Sequence, residues 1–314
     1  MKKNLVIAIF CGLFCAASMG QQTPQYTHYI FNHFAINPAV AGSKKCMDMR
    51  LGYRTQWVGF EGSPKTAIAS LNGPMGVKDK SSYKTKHGIG GMIENDRTDP
   101  LGRTSMLLAY AYHFPINRNR FASIGLYTGL TQFSFDASQL SVENPSDPAI
   151  TSSANVFVIP EFNPGIWIYS EKSFFGASIF HLTGGRIKDV GFDTRFEPHY
   201  YITYGKAMKL AKEIQFRPSI LVKKTNASPF AIDVNALVDI KDAVTLGLAY
   251  RNVDAIAAMV KFKFLRYFTI AYAYDYTTSR INLNSSNTHE IIIGAISCPR
   301  PGRSGGYVPC SAYD

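Results

Sequence analysis

Seven histidines and a scatter of serines are the residues of this chain that could carry hydrolytic chemistry. A serine nucleophile needs a strained elbow that presents its hydroxyl to a base, and the Gly-x-Ser-x-Gly pattern that builds one is absent. The His-Glu-x-x-His zinc pattern is absent too. His87, His113 and His181 fall near the ends of extended segments, where an isolated histidine is an interfacial or lumen residue before it is a catalyst. Asp96, Asp99, Asp136 and Asp147 fall in expected outer loops. They lack the spacing that clusters oxygens around calcium, so they read as solvated loop carboxylates. Cys46, Cys298 and Cys310 have neither Cys-x-x-Cys spacing nor a nearby histidine, which argues against zinc. An oxidising compartment would let Cys46 pair with Cys298, or Cys298 with Cys310, with one thiol left over. The expected site therefore has no catalytic residue, no cofactor and no metal.

The elements that must position any site are strands, and they follow an export signal. Lys2 and Lys3 precede an apolar stretch from Leu5 to Ala17, and Ser18-Met19-Gly20 supplies small residues for cleavage before Gln21. Phe10 and Phe14 stand before Cys11 and Cys15, where a lipid-anchor signal needs a small residue. No later apolar run reaches the roughly eighteen residues of a transmembrane helix. A membrane role then requires a closed barrel, the other structure that satisfies its backbone in lipid.

Period-two alternation fills the rest of the chain. Ile214, Phe216, Pro218, Ile220 and Val222 alternate with Gln215, Arg217, Ser219, Leu221 and Lys223. Phe268, Ile270, Tyr272, Tyr274 and Tyr276 alternate with Thr269, Ala271, Ala273 and Asp275. Strands are expected near 47–57, 65–73, 86–96, 103–114, 120–134, 156–169, 174–182, 199–208, 213–224, 229–239, 243–251, 255–264, 267–277 and 288–298. Long strands joined by short turns, with aromatics towards their ends, specify an all-β fold. It is a closed antiparallel transmembrane β-barrel of about fourteen strands, following a cleaved signal peptide. Connections after even strands are mostly short, as periplasmic turns are, and Pro74–Thr85 is the long exception. Gly90-Gly91 interrupts the third strand, and Pro160 and Pro164 the sixth. Arg217, Lys261, Lys263, Asp233, Asp239 and Asp275 must face the lumen, because lipid would not tolerate them. They read first as a structural network and second as a transport path. The formal charge of +11 is scattered along the chain. An exported protein of this kind meets lipid head groups or an acidic partner, and nucleic acid is not expected.

The expected organisation is a signal peptide at 1–20, a periplasmic or plug segment at 21–46, a barrel at 47–298 and an irregular tail at 299–314. Both barrel termini would be periplasmic. Asn37-Pro38 and Gly42 could be a simple turn into the first strand. Alternatively, the segment docks on a partner or plugs the barrel, with Tyr26, Tyr29, Phe31 and Phe34 as aromatic anchors.

Tyr26-Thr27-His28-Tyr29 is followed by Asn37-Pro38-Ala39-Val40-Ala41-Gly42, and then by Tyr53-Arg54-Thr55-Gln56-Trp57. In this order after a signal peptide, these motifs resemble the PorP/SprF family of type IX secretion system outer-membrane proteins. Gly88-Ile89-Gly90-Gly91 extends the likeness, and the barrel-like remainder carries it over the mature chain. The tail with Cys298 and Cys310 departs from the family pattern. The resemblance implies a non-enzymatic component that supports export or surface delivery of cargo. It implies partners among periplasmic ring subunits of the PorK and PorN type, other type IX outer-membrane proteins, the secreted cargo and outer-membrane lipid. Asn37, Pro38, Ala39, Gly42, Arg54, Gln56 and Trp57 become family-motif candidates on that reading. The alternative function is a transport barrel for a small or hydrophobic solute.

Overall fold

The structure, a computed structural model, describes residues 25–44, 46–75, 85–117, 119–136, 155–184, 197–226, 228–252, 254–265, 267–279 and 287–297. The signal segment, Asp147, Cys298, Cys310 and the tail lie outside the described residues.

Alternating sequences form alternating strands. They are β1 (Met47–Thr55), β2 (Lys65–Met75), β3 (Lys86–Thr98), β4 (Leu101–Asn117), β5 (Arg120–Phe135), β6 (Asn155–Ser170), β7 (Ser173–Phe180) and β8 (His199–Lys206). The chain continues with β9 (Met208–Ala211), β10 (Ile214–Thr225), β11 (Ser228–Ile240), β12 (Val244–Arg251), β13 (Ala255–Phe264), β14 (Phe268–Thr277) and β15 (Thr288–Ser297). Each neighbour pair is antiparallel, and β10 pairs with β8, β9 and β11. β1 closes on β15, with Met47 opposite Ser297 and Thr55 opposite His289. β8 and β9 are one stave interrupted at Ala207, so the closed barrel has fourteen staves. Ala207 N–H donates to the Lys172 carbonyl at 2.7 Å, one step past the Ser173–Lys206 pair.

The barrel is inside out by soluble standards. Leu108 is 68% exposed and Leu248 63%, whereas Arg54 and Asp275 are each 2% exposed. Keeping one large apolar side chain in water forgoes about 1.5–3 kcal/mol. Leu51, Ile93, Leu126, Ile202, Leu246 and Ile293 share this outward face, so lipid is the solvent that stabilises it.

Turns at the end holding Met47 and Ser297 are short, as at Glu171-Lys172 and Lys212-Glu213. The opposite end carries the longer connections, including 136–154 and 181–198. The long connection between β2 and β3 is a genuine exception, because both strands stand where expected. Several expectations need correction. β3 runs unbroken through Gly90-Gly91, and β6 through Pro160 and Pro164 with no register shift on β5. β1 stops at Thr55, because Trp57 takes φ 47° and Val58 N–H turns to the Asn287 carbonyl at 2.9 Å. Asp96 lies within β3, not in a loop, and accepts a hydrogen bond from Thr66 Oγ1 at 2.6 Å.

Cys46 is disulfide-bonded. The register of β1 on β15 ends with Met47 opposite Ser297, and one further step would oppose positions 46 and 298. Non-reducing peptide mapping is expected to return Cys46 linked to Cys298. A Cys46–Cys310 peptide would instead mean that the tail folds back onto the seam.

Candidate functional site

The lumen is occupied by the chain's own N-terminal segment. Residues 25–44 have no strand or helix period, and they fold as three short 3₁₀ turns at His28–Phe31, His33–Ile36 and Pro38–Val40. Proline's fixed φ suits the start of a turn, and Pro38 begins the third. The Asn37 side chain accepts from Ala39 N–H at 2.9 Å and caps that turn. The segment is buried on all sides, with Tyr29, Ile30, Phe31, Phe34, Ala39 and Ala41 each at most 3% exposed.

One layer of the barrel holds the first turn by charge. Arg54 Nη1 lies 2.8 Å from Glu290 Oε2, and Arg54 Nη2 lies 2.9 Å from Asp275 Oδ2. Thr27 sits among these groups. Its N–H donates to Glu290 at 2.8 Å, its hydroxyl donates to Asp275 at 2.7 Å, and Arg54 donates to that hydroxyl at 3.1 Å. His28 N–H adds a bond to Glu290 at 3.1 Å. Arg251 and Lys223 extend the layer through Asp233, with Lys223 at 2.8 Å. Three cations thus meet three buried carboxylates, with the partly exposed Asp254 also 3.2 Å from Arg251, so each buried charge has an opposite partner. Glu94 forms a second anchor, accepting from Tyr26 Oη and pairing with Arg103.

Below this belt most contacts are neutral, although Lys44 at the end of the segment pairs with Asp48 at 2.8 Å. Tyr29 Oη accepts from Asn235, and Tyr127 Oη donates to the Phe34 carbonyl. Ser178 and Ser123 donate to the carbonyls of Ile36 and Ala39. Asn37 Nδ2 donates to Ile166 and Ala177 carbonyls at 2.9 and 3.2 Å, bridging β6 and β7. Lys261 Nζ sits 4.8 Å from the centre of the Phe31 ring. His33 packs at 4.7 Å on Phe174 and 5.4 Å on Trp167. Burial first, then the charges of Lys44 and Arg217, push its pKa down to about 3, so it stays neutral. At the end near Met47, His113 Nε2 donates to the Ala41 carbonyl at 2.7 Å and its Nδ1 accepts from Tyr169.

Glycines on the inner wall set how deeply the segment seats. A Cβ on Gly88 would fall onto the Ala41 carbonyl. One on Gly125 would stand 2.5 Å from the Ala39 nitrogen and 2.6 Å from its Cα. Gly42 takes φ +70° where it passes Gly88, a conformation that favours glycine.

The structure brings most of the motif candidates together. Tyr26, Tyr29, Phe31, Asn37, Pro38, Ala39 and Gly42 line the lumen segment, and Arg54 reaches it from β1. All but the half-buried Tyr26 are buried there, and their contacts are internal ones. Gln56 and Trp57 stand apart in the connection after β1. Gln56 N–H donates to the Pro64 carbonyl at 2.9 Å, and Trp57 N–H to Thr288 Oγ1 at 3.2 Å. Of the charged lumen set, Arg217 pairs with Asp239 at 2.8 Å, while Lys263 pairs with Asp242 at 2.7 Å near the rim. Sequence reading missed Thr27, Glu290, Ser123 and Ser178. For the three on strands, the signal was a polar residue at an inward position; Thr27, in the segment itself, had none.

A small cavity remains between the segment and the wall, lined by Tyr26, Glu94, Arg103, Glu161, His181 and Lys223, among others. Among the described residues, no group of three or more His, Cys, Asp or Glu side chains is placed to hold a metal.

Comparison with known proteins places this architecture. Two toluene transporters have the same barrel fold. The Ralstonia pickettii transporter TbuX matches with a TM-score of 0.53 at 6% identity, covering 86% of this chain and 94% of that one. The P. putida transporter TodX matches with a TM-score of 0.51 at 7% identity, covering 88% and 95%. At such identities the likeness is one of fold alone. No curated protein matches the sequence. The family model described as type IX secretion system membrane protein PorP/SprF matches residues 18–295. With the match spanning both the lumen segment and the barrel wall, the chain belongs to the PorP/SprF family of type IX secretion system membrane proteins.

Proposed function

We propose that this protein is a non-enzymatic outer-membrane component of the type IX secretion system. It supports export or surface delivery of cargo through contacts with periplasmic subunits of the PorK and PorN type. The observation that carries the reading, beside family membership, is the occupied lumen. Residues 25–44 bond to β2, β4, β5, β6, β7, β11, β12, β14 and β15, and so to walls on every side. A barrel filled this way suits a scaffold that engages other subunits better than a pore that passes cargo itself. On this reading, the end with short turns and with Met47 and Ser297 faces the periplasm.

The second reading is solute transport, favoured by the shared fold of the two toluene transporters. The cavity beside Tyr26 mixes charged residues, Glu94, Arg103, Glu161 and Lys223, with apolar ones such as Ile36, Met92, Leu107 and Leu221. The test is the extracellular and cell-surface proteome of a deletion strain beside a complemented strain. Selective loss of secreted proteins, with cargo held in the periplasm, is expected. An unchanged secretome would overturn the proposal, and toluene uptake into vesicles would then be measured.

A further inference from the structure

At the Met47 end, the β8–β10 side of the wall runs on past its β7 neighbour. β7 covers the β8–β10 stave as far as Ser173 opposite Lys206, and Ala207 N–H still reaches the Lys172 carbonyl at 2.7 Å. Beyond that register β9 (Met208–Ala211) runs on towards the Met47 end, paired with β10 on one side alone. Its other edge has no strand partner among the described residues. A bare strand edge presents backbone donors and acceptors ready to pair with another strand.

The side chains around this edge define what fits. Leu210 is 65% exposed. Lys206, Lys209 and Lys212 are exposed along the same hairpin, and Lys172 is exposed on the adjacent turn. Glu171 and Glu213 are the acidic neighbours, so cations outnumber anions around the edge. Lysines on an edge discourage pairing with another copy of the same basic strand and favour an acidic one. We infer that β9 is a docking edge for an extended acidic segment of a protein partner, which adds to the wall as a further strand. Leu210 supplies an apolar contact for that segment, and the lysines set its charge. The inference rests on the proposed function only for the side on which the partner lies, the periplasmic one.

The test places a photo-crosslinking p-benzoylphenylalanine at position 210 of the full chain in its native membrane. The control position is Leu265, 74% exposed in the β13–β14 turn at the same end. The expected result is a protein adduct at 210 but not at 265, mapped by mass spectrometry to an acidic stretch. That adduct is expected to fall to background in the Lys206→Glu, Lys209→Glu, Lys212→Glu triple variant, with barrel folding checked by heat-modifiable gel mobility. Phospholipid adducts alone, equal protein adducts at both positions, or an adduct indifferent to charge reversal would each overturn the inference. The secretome experiment is independent of this one. A lost secretome without an adduct at 210 keeps the secretion role and removes this edge, and the converse keeps the edge and removes the role.

Discussion

Arg54→Ala is expected to lower the thermal unfolding midpoint of the barrel more than any other single charge removal in the lumen. Arg54 answers two buried carboxylates at once, Glu290 at 2.8 Å and Asp275 at 2.9 Å. Breaking a buried pair by removing one partner costs about 3–5 kcal/mol, because the charge left behind has lost its water. The lower part of that range is the better expectation here. Glu290 keeps the N–H groups of Thr27 and His28, and Asp275 keeps the Thr27 hydroxyl with Arg251 at 3.7 Å. Lysine at 54 restores the charge but not the fork that spans two carboxylates, so it should recover part of the loss. Because Thr27 hangs on the same groups, the variant should also loosen the lumen segment. An Ala35→Cys reporter, buried at 7% exposure in the parent, should then react faster with a maleimide. An unchanged midpoint in Arg54→Ala would mean that the belt is solvated and contributes little.

The barrel was legible in the sequence because lipid imposes a simple rule on strands. Apolar residues must face out at every second position, and the alternation from Ile214 to Tyr276 follows it over several strands. Where the rule is silent, the reading slipped. Trp57 continues the alternation of β1 on paper, yet the backbone turns at that residue to meet Asn287. The break at Ala207 leaves the in–out pattern of Lys206 and Met208 undisturbed, so the alternation does not mark it. The lumen segment was hardest. Surrounded on all sides, it has no solvent face, and a segment without a solvent face has no period to read. Its aromatics and its Asn-Pro turn were visible, but a turn and a plug look alike in one dimension. The clue lay elsewhere in the chain, in strand glycines. Gly88 interrupts nothing in β3; it makes room for Ala41 and Gly42. The charged residues were placed inward correctly for a negative reason, their exclusion from lipid. Their partners could not be named until the segment that joins them was in view.

That division of labour, with strands holding the wall and glycines admitting the segment, can be pulled apart. The double variant Gly88→Val, Gly125→Val should leave the barrel standing and drive residues 25–44 out of their seat. Valine is at home in a strand, so the ladders of β3, β4, β5 and β6 have no reason to fail. The inner face has no room for it. The Cβ alone would meet the Ala41 carbonyl at position 88 and the Ala39 backbone, at 2.5 and 2.6 Å, at position 125. Overpacking of this kind costs about 1–3 kcal/mol per site. Two sites together rival the hydrogen bonds that hold the lower half of the segment, each of which contributes about 1 kcal/mol net. In planar bilayers the parent barrel is expected to carry no steady ion current, and the double variant to show a stable open level. Gly91→Val is the control. It adds its Cβ in ordinary contact, 3.6 Å from the Leu108 side chain and 3.7 Å from the Leu107 carbonyl, so it should remain sealed. Should the double variant misassemble, Gly125→Ala makes the same demand with a single methyl. A folded, sealed double variant would show that the segment shifts within the lumen and stays there. The anchors at Arg54 and Glu94 would then be strong enough to hold it without the seat that the glycines provide.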